Sequence, residues 1–197
     1  MKSILISIKP KWCALIANGR KTIEVRKTRP KLEAPFKCYI YCTKDKGISL
    51  WTGKRYAYAD DRSHNLFDVC GNGKVIGEFV CDAIYDCRDV NRDDTCITVA
   101  EWLKYTKGHK GEVYGWHISN IVIYDKPKEL SEFAVTDKEA IQQCEYREQS
   151  YYAFTDTGYI KNGFYCKKKD DWCFGECKRK VLTRPPQSWC YVEEVEE

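Results

Sequence analysis

The order of apolar and polar positions at the start of the chain predicts a strand followed by a helix. An apolar run at residues 4–8 is typical of a strand, and apolar residues at helical spacing after Pro10 predict a helix of about two to three turns. Asn18 and Gly19 end this helix, because glycine adopts the left-handed C-cap conformation without a Cβ penalty.

The next segment, residues 22–26, alternates polar and apolar side chains and predicts a second strand. Its two β-branched apolar side chains share one face. Glu24 and Arg26 share the other face, with Lys21 at its edge. One interpretation of this charged trio is an ordinary exposed, ion-paired strand, since surface ion pairs are common and weak.

Later patterns predict mostly strands, at residues 36–43, 74–84, 114–124 and 189–192, with a bulge at Gly77. Periodicity fails from residue 44 to residue 73, which indicates a long irregular excursion. A short turn is expected at residues 130–133, and residues 193–197 are expected to form a solvated acidic tail.

Two capping boxes predict two more helices. Thr98-x-x-Glu101 begins a helix that we expect to be buried through Trp102 and Leu103. A second box, at Thr136 and residue 139, begins a helix that reaches about residue 144.

The composition permits several functions and demands none. The net charge of +4 over 197 residues allows contact with a polyanion, and the 14% aromatic content supplies stacking surfaces. Met1 precedes a short apolar run that suits neither a signal peptide nor a membrane span. We therefore expect a soluble cytoplasmic protein of bacterial or phage origin whose twelve cysteines are free thiols or metal ligands.

The segment from residue 145 to residue 180 differs from the rest, because it contains five tyrosines, three cysteines and no leucine. We predict three parts: a main domain at residues 1–144, this insertion, and a final strand with an acidic tail at 181–197. A structural zinc would fit Cys166, Cys173 and Cys177, with Cys144 or Cys190 as a fourth thiolate, although only the C-x3-C pair has typical spacing. No cofactor is otherwise required.

Gly19, Lys21, Glu24 and Arg26 together form a G-x-K-x-x-E-x-R pattern, placed after the first helix and on the next strand. This octet, residues 19–26, resembles the signature of the ASCH domains, a branch of the PUA-like β-barrels. The flanking segments at residues 7–10 and 26–30 resemble the phage and Firmicutes type, and two later segments, at residues 114–119 and 184–192, strengthen the resemblance. The resemblance covers about residues 1–135 and 181–195, and it implies an α+β, mostly β, PUA-like barrel with two or three short helices and the Cys/Tyr-rich insertion.

The resemblance also implies a cleft, beside the first helix and the following strand, that binds RNA, single-stranded nucleic acid, or a modified base or nucleoside. Arginine offers a rigid donor fork, lysine a mobile charge, and a carboxylate pairs with both or accepts from an amine. The ligand-binding candidates are Lys9, Trp12, Lys21, Glu24, Arg26, Arg29, Tyr41 and Trp116. Lys11 flanks the same helix start, and Trp51 is a further stacking candidate. Core packing is the alternative for each aromatic.

The alternative function is a hydrolase that uses the same cleft, with Lys21 and Glu24 as catalytic residues. An ASCH-type amidohydrolase acting on N4-acetylcytidine uses a Lys, a Thr nucleophile and an acidic residue. Lys21 matches its lysine, but Glu24 stands at the threonine position, Thr22 lies off that position, and the acid would fall near Asp93 or Asp94. Loss of the hydroxyl disfavours that reaction.

A metal-independent ribonuclease remains possible with a Lys/Glu/Arg set, with assistance from His64, His109 or His117. A third hypothesis is that the tyrosine-rich insertion binds a protein partner. The sequence leaves the ligand and the oligomeric state open.

Overall fold

The structure, a computed structural model, describes residues 3–44, 49–52, 55–58, 71–136, 153–155, 158–160, 164–168, 171–173 and 179–194. The helix predicted to follow Thr136 lies outside these residues, as does the predicted boundary at residue 144. No helix in the described ranges is long and apolar enough to cross a membrane.

The described residues form short strands and three helices. In chain order these are β1 (Ser3–Ile8), α1 (Pro10–Ala17), β2 (Ile23–Arg26), β3 (Phe36–Cys42), β4 (Ser49–Thr52), β5 (Arg55–Tyr58), β6 (Val75–Cys81), β7 (Ile84–Asp86), α2 (Arg92–Thr95), α3 (Val99–Thr106), β8 (Tyr114–His117), β9 (Ser119–Lys128), a 3-10 turn (Leu130–Glu132), β10 (Phe133–Thr136), β11 (Ala153–Thr155), β12 (Gly158–Ile160), β13 (Phe164–Cys166), β14 (Asp171–Cys173), β15 (Arg179–Val181) and β16 (Trp189–Glu194).

The chain divides into two compact units, and the first comprises residues 1–130 and 183–191. Its main sheet has the order β16, β1, β3, β6, β9, and a smaller antiparallel sheet has the order β2, β8, β7. β1 and β3 are parallel, with Ile6 opposite Ile40. Parallel neighbours need a crossover connection, and here the crossover carries α1 and β2.

The core of this unit consists mainly of aliphatic and thiol side chains from β1, α1, β3 and β6. Trp116 of β8 is fully buried, with its ring edge-on to Phe36 at 5.9 Å and 5.8 Å from the ring of Trp189. The core therefore draws on both ends of the unit's sequence.

The second unit comprises residues 131–182 and 192–197. Its strand β10 pairs antiparallel with β15, and Phe133 of β10 lies opposite Glu194 of β16. Two hairpins, β11 with β12 and β13 with β14, lie within the predicted insertion. Glu193 and Glu194 belong to β16, so the predicted acidic tail begins later than expected.

The predicted α+β, mostly β class is confirmed, whereas a closed barrel is not found. Within the described ranges the strands form one mixed sheet and several smaller antiparallel sheets, and β2, β8 and β7 pair only with one another. Gly77 lies at a register shift of β6, where the bulge was predicted. Glycine is needed there because a side chain would collide with the backbone oxygen of Val122.

Four local predictions need correction. The excursion predicted to be irregular contains the hairpin of β4 and β5. The strand predicted at residues 114–124 is interrupted at Ile118, and the short helix α2 was not predicted. Leu103 is 64% exposed, because α3 turns Tyr105 rather than Leu103 towards the body of the unit.

Candidate functional site

A cleft of about 720 Å³ lies in the first unit, beside the octet. One wall comes from the start of α1, with Lys9, Lys11 and Trp12. The floor comes from the octet, with Lys21, Glu24 and Arg26, and a further part of the wall comes from α3 and the residue before its cap, with Ile97, Glu101, Lys104 and Tyr105. This volume lies in the range of small-molecule sites.

Gly19 ends α1 and lets the chain turn towards the floor of the cleft. Its φ of +74° closes α1, its N–H donates to Ile16 O at 3.0 Å, and the N–H of Arg20 donates to Leu15 O at 2.9 Å. This is the Schellman pattern of a glycine-terminated helix. The N–H of Lys21 also donates to Leu15 O, at 3.0 Å, so the lysine is fixed against the helix end.

The Lys21 side chain is fully committed to contacts within the protein. Its Nζ donates to Ile23 O at 2.7 Å and to Thr95 O at 2.6 Å, and it lies 3.4 Å from Glu24 Oε2. The residue is only 2% exposed. Two of the three N–H groups of the ammonium therefore donate to backbone oxygens, and Glu24 Oε2 lies at ion-pair distance without a hydrogen bond.

Glu24 lies between two cations. Its Oε1 accepts from Arg26 Nη1 at 2.6 Å, while its Oε2 faces Lys21. Arg26 also donates to the carbonyl oxygens of Val25 at 3.2 Å and Ser7 at 2.7 Å. Among the described residues, Glu24 Oε2 and Arg26 Nε are buried polar atoms without a hydrogen-bond partner. The trio is therefore a buried network, not an exposed strand face.

Two aromatic side chains flank this network. The ring centroid of Trp12 lies 5.2 Å from Lys21 Nζ, and the hydroxyl of Tyr105 is 3.5 Å from Val25 O. Burial raises the pKa of Tyr105, while the neighbouring Arg26 opposes that rise. Both rings are half-buried, so each presents part of its surface at the cleft.

The rim of the cleft is positive. Lys9, Lys11 and Lys104 are exposed there, and Lys11 Nζ pairs with Glu101 Oε1 at 2.6 Å. Together with the floor, the lining residues include five cations and two carboxylates. The cleft lining therefore carries a net positive charge.

The structure brings five of the eight predicted ligand-binding residues to the cleft: Lys9, Trp12, Lys21, Glu24 and Arg26. Arg29 instead lies 5.5 Å from the ring of Tyr114 and lines a separate surface depression. Tyr41 and Trp116 are core residues, 4% and 0% exposed, because β3 is buried along nearly its whole length and the rings of Phe36 and Trp189 pack against Trp116.

The other catalytic candidates lie away from the floor. Asp94 in α2 contributes its backbone oxygen to the N–H of Thr22 rather than a carboxylate to the cleft. His117 Nδ1 lies 2.6 Å from Asp82 Oδ1, and His109 contacts Glu112 O. Neither histidine lines the cleft.

The zinc hypothesis mostly falls outside the described residues, as do His64 and the Trp51 side chain. Cys144 and Cys177 are not described, and only the backbone is described for Cys166 and Cys173. Cys190 is described, and burial raises its pKa to about 11. Among the described residues, no group of three or more His, Cys, Asp or Glu side chains is placed to hold a metal.

Sequence reasoning missed the wall formed by α3. Residues 97, 101, 104 and 105 follow helical spacing, so they share one face, and this spacing was the available signal. It could not show which element this face opposes, since its partner Lys11 lies 90 residues earlier. Ser7, Thr43 and Gln187 also line the cleft without any local signal.

Comparison with known proteins was made at three levels. No protein-family model matches the chain, and no curated protein matches it significantly. Among solved structures, a single-residue variant of the ASCH protein of Zymomonas mobilis matches with a TM-score of 0.50 and 13% identity, covering 97% of this chain and 88% of that one. The chain has the ASCH domain fold.

Two further ASCH structures from the same organism are similar. One matches with a TM-score of 0.49 and 14% identity over 98% of both chains, and a second variant with 0.45 and 18%, over 66% of this chain and 77% of that one. The match with a TM-score of 0.50 confirms the predicted ASCH resemblance for the fold. Its phage and Firmicutes type stays a prediction.

Proposed function

We propose that this ASCH-fold protein binds RNA, or a modified base or nucleotide, in the cleft whose floor carries Lys21, Glu24 and Arg26. The observation that carries the proposal is the burial of all three charged side chains at an open cleft rather than on a solvated strand. Their side chains are 1%, 5% and 11% exposed.

The charge of the trio favours an anionic ligand. A single carboxylate compensates only one of the two buried cations, so the floor retains a net positive charge at low dielectric. A ligand phosphate near the floor would supply the missing negative charge, and Lys9 and Lys104 at the rim would add to the attraction.

The unsatisfied atoms favour a ligand with hydrogen-bonding edges. Glu24 Oε2 would accept from an amine, and Arg26 Nε would donate to a ring nitrogen or carbonyl. A ligand that reaches these atoms must displace the side chains that cover them, and it gains because an orphaned buried group costs about 1–3 kcal/mol. Trp12 and Tyr105 offer stacking surfaces, worth about 1–3 kcal/mol per base.

Binding to short single-stranded RNA at several salt concentrations tests the proposal. We expect the association constant to fall as salt is added. A plot of its logarithm against the logarithm of the salt concentration should have a slope of about −0.7 for each phosphate neutralised. The double variant Lys9→Ala with Lys104→Ala should bind more weakly and with a smaller slope, since both side chains are exposed and their removal spares the core. Lys110→Ala with Lys126→Ala is the matched control, because both lysines are exposed and neither lines the cleft.

Lys21→Ala with Arg26→Ala probes the floor itself, provided that circular dichroism shows the variant to be folded. Absence of binding to RNA at low salt together with absence of binding to nucleosides and nucleotides, or unchanged affinity in the rim variant, would refute the proposal. Equal losses in the rim variant and in its two-lysine control would show nonspecific charge attraction, which also contradicts a cleft site.

A hydrolase is the second candidate, and one observation favours it. Glu24 Oε2 has no hydrogen-bond partner among the described residues, so it is the atom available to act as a general base. Lys21 suits that role poorly, because its Nζ donates to two backbone oxygens of the protein. Turnover of RNA or a modified nucleoside that Glu24→Gln abolishes would establish catalysis, whereas retained binding without turnover would establish a binding module.

A further inference from the structure

The wall of the cleft contains an ion pair that joins α1 to α3. Lys11 Nζ lies 2.6 Å from Glu101 Oε1, and the two side chains are 51% and 37% exposed. The other carboxylate oxygen of Glu101 accepts from Thr98 N at 3.0 Å and from Thr98 Oγ1 at 2.8 Å. The capping box therefore holds this carboxylate in place beside Lys11.

Lys11 covers a face of Trp12. Its Nζ lies over the Trp12 ring, 4.4 Å from the centroid, and the side chain is 51% exposed. A base that stacks on this face must move the Lys11 ammonium aside, and the phosphate of the same ligand would then lie within reach of that flexible cation. In the unliganded protein the Glu101 carboxylate already occupies that side of the ammonium.

We propose that Glu101 is a specificity-determining residue, an internal anion that competes with a ligand phosphate for Lys11. This inference rests on the proposed function and deepens it, because it assigns the cleft a preference at one position. Glu101 weakens binding of ligands that place a phosphate at Lys11 and leaves binding of uncharged nucleosides unaffected.

The energetics permit competition without blocking the cleft. Exposed ion pairs contribute little, so a phosphate can displace the carboxylate from Lys11. The displaced carboxylate remains tied to Thr98 and repels the incoming phosphate. The pKa of Glu101 is lowered to about 2, chiefly by Lys11 and then by Thr98, so the competing charge is present at neutral pH.

The variant Glu101→Gln tests this inference with little disturbance of the helix, because glutamine at the same position also completes a capping box. Binding of a nucleoside and of its 5′-monophosphate is measured by calorimetry for the wild type and the variant. We expect the monophosphate to bind roughly two- to fivefold more tightly to the variant, the range set by an exposed ion pair, with unchanged nucleoside affinity. Lys11→Ala should abolish this difference.

Glu112→Gln is the matched control, because it removes the same charge from an exposed carboxylate outside the cleft lining. Equal gains in Glu112→Gln and Glu101→Gln would overturn the inference, since they would reflect net charge alone. An equal gain for nucleoside and monophosphate would also overturn it. In both cases the proposed function would stand.

If neither RNA nor any nucleoside or nucleotide binds, a result that refutes the proposed function, inorganic phosphate still tests the inference. Phosphate should shift the Trp12 indole signal in the NMR spectrum of Glu101→Gln at a lower concentration than in that of the wild type, which would support competition at Lys11. The same phosphate dependence in both proteins, or no shift in either, would overturn the inference.

Discussion

Removal of Glu24 should destabilise the protein far more than removal of an exposed carboxylate. In Glu24→Ala, the cations of Lys21 and Arg26 lose the carboxylate that lies 3.4 Å and 2.6 Å from their nitrogens. The three side chains are at most 11% exposed, so water cannot replace the lost charge. Breaking a buried ion pair by removing one partner costs about 3–5 kcal/mol.

Urea denaturation followed by tryptophan fluorescence measures this loss, with thermal unfolding as a second assay. For a chain of this size each kcal/mol shifts Tm by about 2–4 °C, so the midpoint should fall by about 6–20 °C. Glu24→Gln should lose less, because the amide oxygen still accepts from Arg26. The control Glu129→Ala removes a carboxylate that is 58% exposed and pairs with Lys74, and it should cost at most about 1 kcal/mol.

A loss below about 1 kcal/mol in Glu24→Ala, equal to that in the control, would refute this reasoning. It would mean that water or a rearranged side chain compensates the two cations. The floor of the cleft would then be open to solvent. Its positive charge would lie in water and not in a low-dielectric site.

Four other outcomes can be checked. Gly77→Ala should lower the free energy of unfolding, measured by urea denaturation, by about 1–3 kcal/mol, because the new Cβ would collide with the backbone of β9. Gly19→Ala places its Cβ in open space, so it should lower the free energy of unfolding only by the cost of the left-handed conformation, about 1–2 kcal/mol. Stability measured against pH should fall as the pH drops from the ordinary Glu101 pKa of 4.5 towards its folded value of about 2, and this part of the loss should shrink in Lys11→Ala. Cys38 should resist alkylation in the native protein, because burial raises its pKa and excludes the reagent, and labelling as fast as in urea would contradict this. Metal analysis should find one zinc per chain if the cysteine-rich segment binds it, and a clearly substoichiometric content would reject that hypothesis.

Local patterns were sufficient where local physics decides the structure. The strand β1, the helix α1 and its glycine stop were predicted because their periodicity and cap lie within a few residues of one another. The capping box at Thr98 was predicted for the same reason, and both of its hydrogen bonds are present. The bulge at Gly77 followed from the absence of a side chain within a strand.

Contacts between distant segments decided the rest. The alternation in β2 placed Glu24 and Arg26 on one face but could not show that this face is buried, since its neighbours come from Ser7 and from α3. Trp116 was a stacking candidate by residue type, yet Phe36 and Trp189 enclose it. Such coverage depends on which strands meet, and short-range patterns carry no information about that.

The contacts of Lys21 bear on how the octet should be used in comparing sequences. Its ammonium donates to one backbone oxygen at the end of α2 and to one in β2, and so holds these two elements together. Glu24 partly neutralises the buried positive charge of this ammonium. Selection for folding alone is therefore sufficient to retain these residues, whatever the cleft binds. The G-x-K-x-x-E-x-R pattern marks an architecture, and differences in ligand among chains that share it should be sought in the rim, at positions such as Lys11 and Glu101.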